Sequence, residues 1–140
     1  MSKGLGWTGI VGFLLGFGLM LALMSYGHAR NLGQWENSDP DTKEWFRTLM
    51  QPDNPTISCC GDGDAYYADK INIIDGKTYV TITDERDDKP LVRGHIPVGT
   101  VIEVPDYKLK WDRGNPTGHN IIFVIYSSLY VLCFVQSTGI

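Results

Sequence analysis

The spacing of apolar residues changes character several times along the chain, and each change predicts an element. An uncharged, Gly-rich apolar run from Trp7 to Met24 comes first. Ser38-Asp39-Pro40-Asp41 then reads as a helix start, with a capping side chain, Pro in the first turn and acids against the dipole. Trp45, Phe46, Leu49 and Met50 give that helix one apolar stripe, and Gln51-Pro52 stops it. Tyr66 to Ile74 and Lys77 to Asp84 read as strands joined at Asp75-Gly76, a strong hairpin signal. Val80 and Ile82 alternate with Tyr79, Thr81 and Thr83, as in a sheet with one wet face. Asp84 to Lys89 reads as a charged loop, and Thr100 to Val104 as a strand between Pro97 and Pro105. Trp111 to His119 reads as a loop rich in Gly, Asn and Pro. Ile121 to Val135 is too short and too rich in β-branched and aromatic residues for a membrane span, so a buried hairpin broken at Ser127-Ser128 is expected.

These elements predict an α+β, mainly β fold: one short N-terminal helix packed on a small, partly closed antiparallel sheet of five or six strands. Residues 38–140 form the single domain that a chain of 140 residues allows, and 30–37 form a polar linker. No internal repeat is present. Residues 1–29 read as an export signal: Lys3 precedes the apolar run, and Gly27-His28-Ala29 supplies small residues for cleavage after Ala29. A retained membrane anchor is the alternative. The polar stretch from Arg30 lacks the basic flank of a stop-transfer helix, which favours cleavage. The expected location is therefore periplasmic or secreted, with inner-membrane anchoring if the segment stays.

Charge narrows the partners. The chain carries 12 Lys/Arg against 16 Asp/Glu, a net charge of −4, and only Lys3 lies within the first 29 residues. An acidic domain lacks the basic face that nucleic acid requires. Membrane contact is expected only through an uncleaved N-terminal segment, and no cofactor is called for.

Cysteine usage raises the main chemical question. The three thiols are Cys59, Cys60 and Cys133, an odd number for an oxidising compartment. A bond from Cys59 or Cys60 to Cys133 would tie the start of the domain to its last strand, worth about 4 kcal/mol in the chain-entropy model. A Cys59-Cys60 bond would need a distorted peptide. The leftover neighbour is then a free thiol, or pairs with a partner or a second copy of the chain. A metal reading joins Cys59, Cys60, His95 and His119, a set that suits zinc or copper(I) but lacks the usual ligand spacing. Asp62, Asp64 and Asp69 offer a hard-cation alternative, and Asp62-Gly63-Asp64 resembles the start of a calcium loop, which fails at Tyr66 and lacks its closing Glu. A cysteine-hydrolase reading takes Cys59 or Cys60 as nucleophile and His119 as base. It lacks the helix dipole that lowers a thiol pKa, and the acidic turn Gly61-Asp62-Gly63-Asp64 works against it.

Trp111, Asp112, Arg113, Asn115 and His119 form a separate ligand-loop candidate. A stacking ring, a guanidinium fork and amide groups suit a sugar, a carboxylate or a peptide end. The competing reading is a structural loop held by an Asp112–Arg113 network, with Trp111 covering the core. Asn115-Pro116-Thr117 is not a glycosylation acceptor, because Pro occupies its middle position.

Several stretches together carry a resemblance: Leu32-Gly-Gln-Trp-Glu36, Trp45-Phe46, Leu49-Met-Gln-Pro-Asp53, Ser58-Cys-Cys-Gly61, Asp64-Ala-Tyr66, Thr83-Asp84, His95-Ile-Pro97, Lys108-Leu-Lys-Trp-Asp-Arg-Gly-Asn-Pro-Thr-Gly-His119 and Cys133-Phe-Val-Gln136. With these, nearly the whole chain after Ala29 resembles a family of small exported bacterial proteins of unknown function. The resemblance implies export and a single domain, and brings no activity, substrate or cofactor. The chain departs from it at Ser127-Ser128-Leu129, where a Gly-containing turn is more usual. The function these readings favour is a non-enzymatic, exported accessory or ligand-binding module. A Cys/His metal-binding protein or a cysteine hydrolase is the alternative.

Overall fold

The computed structural model describes residues 38–137. The export segment, the linker and the Leu32–Glu36 stretch lie outside the described residues. Among the described residues, no helix is long and apolar enough to cross a membrane.

The fold is α+β and mainly β, with seven strands in two open sheets rather than five or six in one partly closed sheet. Helix α1, Pro40–Thr48, starts where the sequence places it, with Asp39 accepting from the Thr42 N–H. It ends before Leu49, so Met50 leaves the apolar stripe and bridges to Ser58 instead. The strands are β1 Asp64–Tyr67, β2 Lys70–Ile74, β3 Lys77–Thr81, β4 Val101–Val104, β5 Leu109–Trp111, β6 Ile121–Ile125 and β7 Tyr130–Gln136. One sheet has the order β1-β6-β7-β5 and the other β2-β3-β4. A helical turn, Asp88–Leu91, interrupts the charged segment, and a 3-10 turn, Asp106–Lys108, leads into β5.

The predicted strand from Tyr66 to Ile74 is two strands. Tyr66 and Ala68 are buried together on even positions, whereas Ile71 and Ile73 pair with core-lining Val80 and Thr78 on odd ones. A continuous strand would throw one set onto the wrong face. The chain breaks at Ala68-Asp69, where Ala68 N–H donates to Asn120 and the Asp69 N–H to Thr83 Oγ1, and β2 continues in the other sheet.

Three layers result. Trp45, Phe46 and Leu49 of α1 pack on Ile121, Phe123, Cys133 and Val135. The opposite face of the same sheet, with Tyr66, Ile122, Val124 and Phe134, packs on Val80, Ile102 and Val104 of the smaller sheet. A register shift between Phe123 and Val124 pairs Phe123 with Cys133 and Val124 with Val131. That bulge leaves Leu132 unpaired and lets Leu132 and Cys133 share the α1 side while Phe134 returns to the other core. The expected terminal hairpin is present as β6 and β7, turning with Leu129 at φ 55°.

Strand β5, of which the sequence reading placed only Trp111, as the start of a loop, runs parallel to β7, so the larger sheet is not wholly antiparallel. Leu109 packs on the inner core, and the preceding Lys108 is buried with Nζ donating to Gln51 Oε1 and to both Asp53 oxygens at 2.8 and 2.9 Å. This buried ammonium fastens β5 to the segment that follows α1.

Candidate functional site

The thiols separate by role. Cys59 bonds Cys133, with Cα atoms 5.6 Å apart and a sequence separation of 74. Cys59 also donates its backbone N–H to Leu49, which holds the disulfide beneath α1. Cys60 is free and buried, its Sγ 3.5 Å from the Phe46 carbonyl. Burial pushes its thiol up to about 12, against a smaller opposing effect of the Ser58 hydrogen bond.

Neither alternative chemistry is assembled. Cys60 lies beside Gly63 and Phe123 at the start of β1. His119 lies beside Tyr67 and Asp69 past the other end of that strand, about 10 Å of extended chain away. Its Nδ1 meets Asp69 Oδ2 at 2.8 Å rather than a sulfur. Cys59 is oxidised, and His95 Nδ1 is engaged by Asp88 at 2.6 Å. Among the described residues, no three His, Cys, Asp or Glu side chains converge to hold a metal ion.

The segment read as a charged loop is partly buried and, together with Arg93, works on β1. As an edge strand, β1 pairs only with β6 and turns its other backbone groups outward. Asp84 Oδ2 accepts the Tyr67 N–H at 3.0 Å, and Arg93 Nη1 donates to the Ala65 carbonyl at 2.9 Å. Arg93 and Asp84 pair at 2.6 Å, and Arg86 grips both oxygens of Asp84. Side chains thereby take the place of a neighbouring strand. Burial alone would raise the Asp84 carboxyl, but the bonds from Arg86, Arg93 and the Tyr67 N–H outweigh it and hold it below the usual carboxylate range.

This arrangement aims the most developed surface cluster. The Arg86 guanidinium carbon lies 3.7 Å from the Tyr67 ring centroid, and the His119 ring stacks on Tyr67 at 4.0 Å and 10°. Two planar groups that close must occupy opposite faces of the ring, so Tyr67 is clamped between them. Asp69 fixes the imidazole through Oδ2, which Thr83 Oγ1 also approaches, while Oδ1 accepts the Asn120 N–H. Beside the clamp, a cleft opens between α1 and β1. Phe46, Ala65 and Ile121 form its apolar floor, and Ser38, Thr42, Thr117, Tyr67 and Arg86 line the rest.

The five ligand-loop candidates do not converge. Asp112 accepts from the Trp45 indole N–H at 3.0 Å and from Gly114 N–H at 2.8 Å, so it ties the loop to α1. Asn115 donates to the His119 carbonyl and accepts from Thr117, which closes the turn. The expected Asp112–Arg113 network is absent among the described residues, where Arg113 is exposed and makes no ion pair. Trp111 does not cover the core: it is 68% exposed at the end of β5. Register with Gln136 sets Trp111 on the side of the smaller sheet, whereas Tyr67 and its stacked His119 lie on the α1 side. Only His119 among the five belongs to the clamp.

Sequence reading missed Tyr67, Arg86, Asp84 and Arg93, and singled out Asp69 only as a calcium-loop candidate. Periodicity carries no signal for them, because each works through a contact with a distant segment. No family model, no curated protein and no solved structure matches the chain.

Proposed function

We propose that this chain is an exported, non-enzymatic accessory or ligand-binding module. Its ligand sits in the cleft between α1 and β1, against the Arg86–Tyr67–His119 clamp. Export is supported by the Cys59–Cys133 disulfide, a bond made and kept in oxidising compartments, and by the resemblance to small exported bacterial proteins. The observation that carries the binding reading is the clamp itself. A guanidinium and an imidazole are stacked on one tyrosine and oriented by Asp84 and Asp69, beside an apolar floor with a hydroxyl rim. Sites of this composition take ligands with an apolar body and one anionic or hydrogen-bonding group. A carboxylate-bearing ligand such as a peptide end suits it best, because Arg86 is the only fully charged group among the cleft's described lining residues.

Titration of the full-length chain with N-acetyl-alanyl-alanine, followed by backbone NMR, tests this. Saturable shifts at Tyr67, Arg86 and Thr117, lost in Tyr67→Ala and absent with the C-terminal amide of the same dipeptide, are expected. Equal response to acid and amide, or no localised shift at millimolar ligand, would contradict the reading.

A further inference from the structure

The two sheets treat their edges in opposite ways. The outward groups of β1 are covered by Asp84 and Arg93. Strand β2 is also an edge, and all five of its residues are exposed. It has no proline and no bulge, and Ile71 and Ile73 are 38% and 73% exposed although they share a face with buried Val80 and Val104. An uncovered apolar edge of this kind is a template for strand addition.

Which backbone groups are open follows from the hairpin. Asp75 at φ 52° and Gly76 at φ 75° make a two-residue turn of the mirror-image type, flanked by the pair Ile74–Lys77. The flanking pair of such a hairpin exchanges both backbone bonds, and bonded pairs then alternate along the ladder. Lys70, Asn72 and Ile74 therefore bond to β3. Ile71 and Ile73 direct their N–H and C=O groups outward, so the residues with free backbone groups are also those with uncovered side chains.

We infer that β2 pairs with β2 of a second copy of this chain, antiparallel about a two-fold axis through Asn72. In that register Ile71 of each copy faces Ile73 of the other. All four outward donors and acceptors of each strand are satisfied, and four isoleucines form one apolar row. Asn72 meets its own counterpart, and two facing carboxamides donate and accept reciprocally. Two-fold symmetry keeps the faces of the strand, so alternative registers must move by two residues. Those registers set Ile71 opposite Asp75 or Ile73 opposite Asp69, and each keeps only one isoleucine–isoleucine pair where the favoured register has two. Asp69 and Asp75 do come opposite one another at the ends of the favoured register, but the Asp69 carboxylate is turned inward onto His119 and Asn120. A single strand pair is a small interface, so association is weak, with a dissociation constant between about 10 μM and 1 mM. This dimer is independent of the ligand cleft.

Sedimentation equilibrium of the full-length chain in density-matched detergent, from micromolar to millimolar, reads the proposal directly. The mass is expected to rise from monomer toward dimer. Ile73→Lys should remain monomeric with an unchanged melting temperature, which excludes misfolding as the cause. In a second experiment Asn72→Cys should form a dimeric disulfide on mild oxidation, because facing residues at a non-hydrogen-bonded pair have Cα atoms about 4.5 Å apart. Lys70→Cys and Ile74→Cys should not. A monomer throughout, a dimer that survives Ile73→Lys, or equal cross-linking at all three positions would overturn it.

Discussion

Asp84 and Arg93 meet at 2.6 Å with almost none of either side chain reaching solvent, and each also bonds the open edge of β1. Buried ion pairs rarely add net stability over apolar replacements, but removing one partner strands the other. Arg93→Ala should therefore lower unfolding free energy by about 3 kcal/mol, near the lower end of the usual range because Arg86 still holds Asp84. Urea unfolding at pH 7 measures this. A loss below about 1 kcal/mol would show that the pair does not close the edge.

The same carboxyl predicts an acid dependence. Its folded pKa lies below the unfolded one, so its stabilisation is complete above about pH 4 and is lost as pH falls from there toward the folded value. Asp84→Asn should be much less stable than the parent at pH 7, and the difference should shrink by pH 3. A gap of constant size across that window would contradict the assignment.

Lys108 and Asp53 form an asymmetric pair, since the lysine is buried and the aspartate partly reaches water. Asp53→Ala leaves a buried ammonium with Gln51 as its one remaining hydrogen-bond partner among the described residues, beside the rings of Tyr107 and Tyr130, whereas Lys108→Met leaves a carboxylate that water can solvate. Asp53→Ala should thus show the lower urea midpoint of the two. The reverse order would mean that the apolar stem of Lys108, not its charge, matters most.

Leu129 holds φ 55°, a left-handed conformation that costs a branched L-residue about 1–2 kcal/mol, and its side chain is 39% exposed. Leu129→Gly should raise stability by about 0.5–1 kcal/mol, because relieved strain exceeds the partial loss of apolar contact. Thermal unfolding reads the sign. A destabilised variant would show that Leu129 contributes more packing than its exposure implies.

The sequence was most informative where one segment decides its own structure. Asp39 and Pro40 set the start of α1, Asp75-Gly76 sets the β2–β3 turn, and the apolar run after Asn120 sets the last hairpin. The break between β1 and β2 was missed, although the shift from even to odd apolar positions between Ala68 and Ile71 marks it. Burial of Asp84, Arg93 and Lys108 was not, because charged residues are buried only when distant partners satisfy them. The clamp was hidden for the same reason: Tyr67, Arg86 and His119 come from three separate segments. Which neighbour reached Cys133 depended on how residues 50–58 fold back under α1, and the answer is Cys59.

Cys59 secures the fold through Cys133, while Cys60 is a buried core side chain. Differential alkylation of the oxidised, full-length chain tests it most directly: iodoacetamide under native conditions, a heavy-isotope analogue after denaturation without reduction, then peptide mapping. No native labelling, one heavy label on Cys60, and a Cys59–Cys133 cross-linked peptide are expected. Rapid native labelling of Cys60, or a cross-link from Cys60 to Cys133, would contradict it.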